Sequence, residues 1–357
     1  TPKGRVNALN GAHRIAAGIM FGAAIKTAGP TNEGQLDCGA EYFRNKTNFV
    51  KDGLATKYLD AIALEFAGYK TTARLVTLFP SADIPLDLAR QTLSKYCDII
   101  YEKSIKLSDL GAFNYTLNLY AGEPWIGNQK NGYPGIQEKK HHCFQSDRET
   151  VVFLVDPYPA PWSPEDNLRT AKEEIRELCG IGNHSIHIND TAQETWILST
   201  SVFNENSLHF LNNSKLNTLE SPFNKFTDQF VKFMKWQQRN RKIATLRDRC
   251  HHIGRADYCI DASSTLSAYG IREGRDLDFL SHGHYVKTEI PDVNCHNLDA
   301  HHYDQSISDI IYNPDNHFWH MGYKFATLEV IRKMKINRNE PKDQIDVSLI
   351  NEVLSGQ

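Results

Sequence analysis

In its last third the chain reads Cys259-Ile-Asp-Ala-Ser-Ser-Thr-Leu-Ser-Ala-Tyr-Gly-Ile-Arg-Glu-Gly-Arg-Asp-Leu-Asp-Phe-Leu280, and this stretch decides the fold that we predict there. It ends in an acidic pair, Asp276 and Asp278, on a predicted strand. Because side chains alternate along a strand, both carboxylates lie on one face, close enough to hold one hard divalent cation. Such a cation neutralises phosphates in transfer reactions, so the pair favours nucleotide chemistry. The alternative is an exposed acidic turn.

Regular elements surround the acidic pair. Residues 258–260 predict a short strand, and residues 262–268 predict a helix of small side chains that opens on Ser263 and Ser264. The free backbone N–H groups at a helix start favour a phosphate. Further on, apolar residues at helical spacing predict a helix over 325–335, and a last amphipathic helix follows it.

The order of these motifs resembles the minimal nucleotidyltransferases of the polymerase-β-like superfamily. The resemblance covers roughly a third of the chain and includes Ser263-Ser264, Arg275-Asp276-x-Asp278, Lys335 and Lys342-Asp343-x-x-Asp346. It implies that Asp276 and Asp278 are catalytic and bind Mg²⁺ or Mn²⁺. It also implies that the serine-bearing helix start holds nucleotide phosphates, with Arg275 or Lys335 adding positive charge.

The chain departs from that superfamily at one position beside the acidic pair. Asp261 stands where the superfamily usually has Gly, and a carboxylate there would repel a triphosphate. Three further carboxylates are candidates for a third metal ligand, namely Asp299, Asp304 and Asp315. Loss of such elements leaves open a domain that binds without catalysis.

A second motif lies near the start, in Ala8-Leu-Asn-Gly-Ala-His-Arg-Ile-Ala-Ala17. Gly11 allows close approach of a ligand to the backbone, and His13 and Arg14 lie in the first turn of an Ala-rich helix, where anions are favoured. The segment resembles the G-x-H-R-x-x-A-A element of the ParB/sulfiredoxin superfamily, which implies phosphate binding at these three residues. A turn with solvated side chains is the alternative. That superfamily has a strand before this element, so we expect residues to precede Thr1.

The middle of the chain alternates predicted strands and helices. Strands are predicted at 151–155, 185–188 and 207–211, with helices between them, and earlier strands at 75–78 and 99–105. This order predicts a Rossmann-like parallel sheet with right-handed crossovers. Ligands of such sheets bind beyond the carboxyl ends of the strands.

One cluster at the predicted strand ends combines His187, Asp190 and Glu194. As catalytic groups, His187 and Asp190 would act as base and orienter near a sugar hydroxyl or a diphosphate. The alternative is structural, with Asp190 as the cap of the next helix, His187 as an ordinary strand residue and Glu194 as a solvated side chain.

A long connection carries the sequence Tyr120-Ala-Gly-Glu-Pro-Trp-Ile-Gly127, followed by Lys139-Lys-His-His-Cys-Phe144. Trp125 is placed to stack on a base or sugar while the basic residues meet phosphate, or else the segment is a plain surface loop. The elements G-A-H-R, G-E-P-W-I-G and R-D-L-D-F-L together resemble uncharacterised proteins of bacterial surface-polysaccharide gene clusters and of large DNA viruses. This resemblance implies glycan assembly.

Composition limits the remaining classes. The net charge of −3 in 357 residues argues against a dedicated nucleic-acid-binding surface. No apolar run is long enough to span a membrane and no secretory segment opens the chain. The seven cysteines are scattered and odd in number, which fits reduced thiols. We therefore expect a soluble, cytoplasmic protein.

The predicted fold is α/β, with a Rossmann-like parallel sheet region and a C-terminal α+β nucleotidyltransferase-like domain. Its predicted domains are an N-terminal α/β region (1–85), a Rossmann-like domain (86–215), a bridging helix (216–256) and the nucleotidyltransferase-like domain (257–357). The predicted function is a metal-dependent transferase, favoured as a glycosyltransferase with a nucleotide or nucleotide-sugar donor and a glycan acceptor. A nucleotidyltransferase that releases pyrophosphate and a non-catalytic nucleotide-binding module remain the alternatives.

Overall fold

The computed structural model of the protein describes residues 59–159, 163–215, 217, 231–233, 235, 257–283 and 285–356. The predicted phosphate-binding residues Gly11, His13 and Arg14 lie outside the described residues, as does most of the predicted bridging helix.

The chain divides into two compact units. The first unit runs to Ser108 and adds Tyr115–Ile126 and Gly135–Phe203. The second unit consists of Asp109–Asn114, Gly127–Pro134 and Asn204–Gln357.

The sheet of the first unit has four strands, β1 (Arg74–Leu78), β2 (Cys97–Ile105), β3 (Thr150–Pro157) and β4 (Ile186–Ile188). Their order is β2-β3-β1-β4, and every neighbouring pair is antiparallel. The predicted parallel sheet is therefore wrong, although the mixed α/β class is as predicted. β3 and β4 do run in the same direction, because both are antiparallel to β1. They are not neighbours, since β1 comes from earlier in the chain and lies between them.

Between residues 59 and 202 the described helices are α1 (Leu59–Tyr69), α2 (Leu86–Leu93), α3 (Asp109–Leu119), α4 (Pro134–Cys143), α5 (Pro164–Cys179) and α6 (Ala192–Val202). The beginning of α3 and the first residue of α4 fall in segments of the second unit. The predicted limits of α5 are confirmed, because Ser163 caps its start and Gly180 ends it at a φ of 68°. α5 buries Leu168, Ala171 and Ile175 in a core that it shares with strand residues such as Val76 and Phe153.

The predicted strand at 207–211 is wrong, because the structure has a helix there, α7 (Glu205–Asn213). Asn204 caps this helix, and its Oδ1 accepts a hydrogen bond from the Ser207 N–H at 2.8 Å. The buried side chains recur at helical spacing, on Ser207, Leu208, Phe210 and Leu211. An apolar run this short is compatible with both the strand period and the helix period. The capping residue Asn204 is the signal that indicates a helix.

The second unit contains a mixed sheet of five strands, β5 (Tyr258–Asp261), β6 (Leu277–Ser281), β7 (Val293–Cys295), β8 (His317–His320) and β9 (Tyr323–Ala326). Their order is β7-β6-β5-β9-β8. β5 pairs antiparallel with β6 and parallel with β9, whereas β6 pairs parallel with β7. Sheet and helices together agree with the coarse class predicted for this region.

Four further helices accompany this sheet, α8 (Ala262–Ala268), α9 (Ile307–Tyr312), α10 (Leu328–Arg338) and α11 (Pro341–Leu354). The predicted strand before α8, and α8 itself, are confirmed. The helix predicted over 325–335 begins later, because the side chain of Thr327 caps α10 and the residues before it form β9.

One buried side chain directly after β4, that of Asn189, is structural. Asn189 Oδ1 accepts a hydrogen bond from the Leu75 N–H at 2.7 Å. Its Nδ2 donates to the Thr191 carbonyl at 2.7 Å and to Thr195 Oγ1 at 2.9 Å. Asn189 thereby joins β1 to the start of α6.

Replacement of Asn189 by Ala is expected to lower the free energy of unfolding by about 1–3 kcal/mol, because it leaves the buried Leu75 N–H without its partner and removes the two hydrogen bonds that Asn189 donates to the start of α6. Urea unfolding followed by circular dichroism measures the change. Gln193→Ala, at an exposed position of α6, serves as the control and is expected to change stability by less than about 0.5 kcal/mol. Equal stability of the two variants would contradict the assigned role.

Candidate functional site

The acidic pair lies at the start of β6 in the second unit. Asp278 is the second residue of the strand and is buried, whereas Asp276 immediately precedes the strand and is half-buried. Asp278 lies directly opposite Asp261, the last residue of β5, in the antiparallel pairing. Burial raises the pKa of the Asp278 carboxyl above its ordinary value, and the neighbouring charges of Asp261 and Asp276 add to the rise.

His296 lies between the two facing carboxylates. Its Nε2 is 2.9 Å from Asp278 Oδ1, and its Nδ1 is 3.6 Å from Asp261 Oδ2. Burial disfavours the charged imidazolium, but Asp261 and Asp278 outweigh that effect and raise the pKa of His296 to about 11. The cluster therefore contains a cationic imidazolium between two buried acids. Tyr303 completes it, because its hydroxyl donates a hydrogen bond to Asp261 Oδ2.

The carboxylate oxygens of this cluster are of the type that binds a hard divalent cation. Asp261 Oδ1 and Asp278 Oδ1 are buried and have no hydrogen-bond partner among the described residues, although Asp278 Oδ1 lies 2.9 Å from His296 Nε2 in an ion pair. Within the described part of the chain, no group of three or more His, Cys, Asp or Glu side chains is arranged to hold a metal ion. Metal binding by Asp276 and Asp278 stays a prediction, and a cation there would compete with His296 for Asp278.

The predicted phosphate-binding residues of this region have different surroundings. Ser264 is buried, and its hydroxyl accepts a hydrogen bond from the Asp278 N–H at 2.9 Å and donates to the Asp276 carbonyl at 3.3 Å. It therefore fixes the backbone that carries the acidic pair. Ser263 is partly exposed at the start of α8, and Arg275 is exposed beside Asp276. Phosphate binding by these residues stays a prediction.

Lys335, the last of the predicted phosphate ligands, is 2% exposed within an ion network. Its Nζ lies 3.1 Å from Asp343 Oδ1 and 2.6 Å from Asp346 Oδ2. Arg338 also pairs with Asp343, and Arg272 makes a two-point contact with Asp346 through Nε and Nη2 at 2.6 and 2.7 Å. The network joins α10 and α11 to the segment before β6.

This network predicts a loss of stability in acid. Burial alone would raise the pKa values of Asp343 and Asp346, but hydrogen bonds from Arg338 and Lys335 to Asp343, and from Arg272 and Lys335 to Asp346, hold both below their ordinary values. A carboxyl with a lowered folded-state pKa stabilises the fold fully above its unfolded pKa of about 4, and that contribution is lost as the pH falls further. Urea unfolding from pH 7 to pH 2.5 should show this slope, and Asp346→Asn should reduce it. A variant slope as steep as that of the unmodified chain would exclude the network as its source.

The other predicted cluster lies in the first unit, around a cavity of about 940 Å³. His187, Asp190 and Glu194 all border it, so the structure brings these three residues together. The helix cap is Thr191 and not Asp190, because the Thr191 hydroxyl accepts a hydrogen bond from the Glu194 N–H. Glu194 Oε2 in turn accepts from the N–H groups of Asp190 and Thr191 at 2.9 and 3.3 Å. Glu194 is therefore a capping residue, and its side chain, like that of Asp190, is exposed.

Aromatic rings form one wall of this cavity. The His187 ring meets the Tyr120 ring edge-on at 4.9 Å between centroids, and Tyr120 meets Trp125 at 5.1 Å. Burial, followed by the charges of Lys172, Lys139 and Arg176, lowers the pKa of His187 to about 3. His187 is therefore a neutral imidazole near pH 7 and a weak base in the ligand-free protein.

Sequence reasoning missed two cationic residues of the cavity and the histidine of the acidic cluster. Lys172 and Arg176 are four residues apart on α5, so they share a face, and that spacing was the available signal. His296 follows β7, and nothing in the local sequence indicates that it meets two distant carboxylates.

No protein-family model, curated protein or solved structure matches the chain. Within the described residues, no helix has the length and apolar character needed to cross a membrane.

Proposed function

We propose that the chain is a metal-dependent transferase with a nucleotide-activated donor, and that it transfers a sugar in glycan assembly. The observation that carries this proposal is a pair of facing buried carboxylates in the second unit, with a third acid two residues before one of them. Asp276 and Asp278 stand at the start of β6, and Asp261 faces Asp278 from the end of β5. Carboxylate oxygens are the hard ligands that Mg²⁺ and Mn²⁺ bind.

Each residue of this cluster has a separate role in the proposal. Asp276 and Asp278 would hold Mg²⁺ or Mn²⁺, which when bound supplies positive charge beside the departing nucleotide diphosphate. Ser264 fixes the backbone of both acids through its two hydrogen bonds. His296 holds the Asp278 carboxylate in place and offsets part of the negative charge.

Sugar transfer is favoured over other transfers by the resemblance of the whole chain to glycan-assembly proteins. The donor is then a nucleotide sugar and the acceptor a glycan. A reducing, cytoplasmic compartment is part of this proposal. It is supported by the thiols of the five described cysteines, Cys97, Cys143, Cys179, Cys259 and Cys295, which form no disulfide.

Nucleotidyl transfer is the second candidate, with release of pyrophosphate. It is supported by the order β5-α8-β6 around the acidic cluster, because α8 places Ser264 in hydrogen-bond contact with Asp278. The same acidic pair would then assist attack on an α-phosphate. A module that binds without turnover is the third candidate, and it is supported by the positions of Asp261 and His296, where an imidazolium already stands between two acids.

The released product distinguishes the three candidates. The purified chain is incubated with a panel of nucleotide sugars and nucleoside triphosphates with Mn²⁺, and phosphate-containing products are separated by anion exchange. Release of a nucleoside diphosphate or monophosphate from one nucleotide sugar supports sugar transfer, whereas pyrophosphate supports nucleotidyl transfer. A melting temperature raised by a nucleotide without any product supports the binding module. Stabilisation by a nucleotide sugar that is the same without Mn²⁺ contradicts the metal-dependent proposal.

A further inference from the structure

We propose that the cavity of the first unit binds a phosphorylated small molecule that carries a flat ring. Lys139, Lys172 and Arg176 hold the phosphate, and Trp125 covers the ring. This inference is independent of the chemistry proposed for the second unit, because all residues that line the cavity belong to the first unit.

The cations of the cavity lack adequate anionic partners. The buried Lys139 ammonium donates to the Asn183 carbonyl at 2.6 Å, and Lys172 is 3.4 Å from the Ile188 carbonyl. Both of these acceptors are neutral. Arg176 pairs with the exposed Glu173 through Nη1, but its buried Nε has no hydrogen-bond partner among the described residues. Buried cationic donors without matching acceptors are costly, so a ligand that supplies acceptors is favoured.

The three cations Lys139, Lys172 and Arg176 line the same cavity and lie near one another. Burial lowers the pKa values of Lys139 and Lys172, and the charge of Arg176 lowers both further. All three also act on His187, which borders the same cavity. Like charges held this close repel one another, and an anion placed among them replaces the repulsion with attraction.

The carboxylates around the cavity are all exposed. They are Glu123, Glu138, Asp190 and Glu194. Exposed carboxylates are screened by water and salt, whereas Lys139 is buried and Lys172 and Arg176 are half-buried. The interior of the cavity therefore favours a negative charge, although its lining contains both signs.

Three histidine side chains add hydrogen-bonding groups to the proposed phosphate site. The His142 and His184 rings lie 4.7 Å apart, and His184 Nδ1 is buried with no hydrogen-bond partner among the described residues. His187 adds a neutral imidazole. Phosphate oxygens accept several hydrogen bonds at once, and a two-point contact with a guanidinium is among the strongest of them.

The flat ring is inferred from Trp125, which is 46% exposed although it is among the largest apolar side chains of the unit. Its ring touches Tyr120, and the Tyr120 ring touches His187, so aromatic surface runs continuously from Trp125 to the basic part of the cavity. Bases and sugars stack on such surfaces at little cost in side-chain entropy. The expected ligand is therefore phosphate joined to a ring, as in a nucleoside diphosphate.

Isothermal titration of the full-length chain with pyrophosphate and with ADP tests the site. We expect Arg176→Gln to raise the dissociation constants of both probes at least about tenfold, since each charge-assisted hydrogen bond is worth that much or more. Lys172→Met is a second variant at a half-buried position and should have a similar effect. Trp125→Ala should weaken ADP and leave pyrophosphate unchanged.

Arg169→Gln is the matched control, because Arg169 lies on the same helix with a side chain that is 74% exposed and outside the cavity lining. This control should bind both probes normally. Failure of the unmodified chain to bind either probe at millimolar concentration overturns the proposal. So does equal binding by the Arg176 and Arg169 variants, whereas an unchanged ADP affinity in Trp125→Ala overturns the assignment of the ring.

Discussion

Asp278→Asn is expected to slow metal-dependent transfer by about a thousandfold. The substitution keeps the shape of the side chain but removes the negative charge with which Asp278 would hold a divalent cation. Because Asp278 is buried and faces Asp261, no neighbouring side chain on β6 can take its position. Initial rates with the donor identified by product analysis measure the loss, and Mn²⁺ binding followed by electron paramagnetic resonance measures the metal directly. Both signals should fall together.

The control for this experiment is Asp292→Asn. Asp292 is exposed in the turn before β7 at a φ of 61°, a conformation that Asn adopts readily, so the same charge is removed without strain. The control should keep its activity and its Mn²⁺ affinity. Retention of activity by a folded Asp278→Asn protein would place the chemistry elsewhere in the chain.

Lys335→Met is expected to lower the free energy of unfolding by about 3–5 kcal/mol, because removal of one partner from a buried ion pair leaves uncompensated buried charge. Lys335 contacts both Asp343 and Asp346, and these three side chains are almost completely buried. Arg338 and Arg272 remain in the variant, but neither contacts both carboxylates as Lys335 does. Urea unfolding at pH 7 measures the change.

Lys333→Met provides the comparison on the same helix. Its ammonium is 3.6 Å from Glu329 in an exposed pair, so its loss should cost less than about 1 kcal/mol. Similar losses in the two variants would show that the network contributes little. The experiment also bears on the predicted phosphate contact. A Lys335 variant that is stable but no longer binds nucleotide would favour that contact over a structural role.

Local signals in the sequence predicted most of the elements around both candidate sites. Ser163 and Gly180 mark the limits of α5, and the small residues after Asp261 mark α8, because caps and helix period depend on neighbours in the chain. The grouping of His187, Asp190 and Glu194 was also accessible, since the strand and the helix that carry them are adjacent in sequence.

Long-range pairing was not accessible in the same way. The position of β1 between β3 and β4 depends on contacts between residues that are far apart in the sequence, such as Leu78 with Val151 and Val76 with Ile188, and hydrophobic periodicity does not report such contacts. The approach of His296 to Asp261 and Asp278 arises likewise from the pairing of β6 with both β5 and β7. At 207–211 the hydrophobic pattern fits both a strand and a helix. The helix cap Asn204 distinguishes the two, and the prediction did not take it into account.

The central place of β1 affects how this protein can be divided into smaller pieces. A fragment that begins at residue 86 would lack the strand that joins β3 to β4, and both would become open edges with unpaired N–H and C=O groups. Such a truncated chain should aggregate on expression, whereas a fragment that keeps residues 59–203 retains all four strands of the sheet. Recombinant work on the first unit should therefore cut the gene upstream of α1.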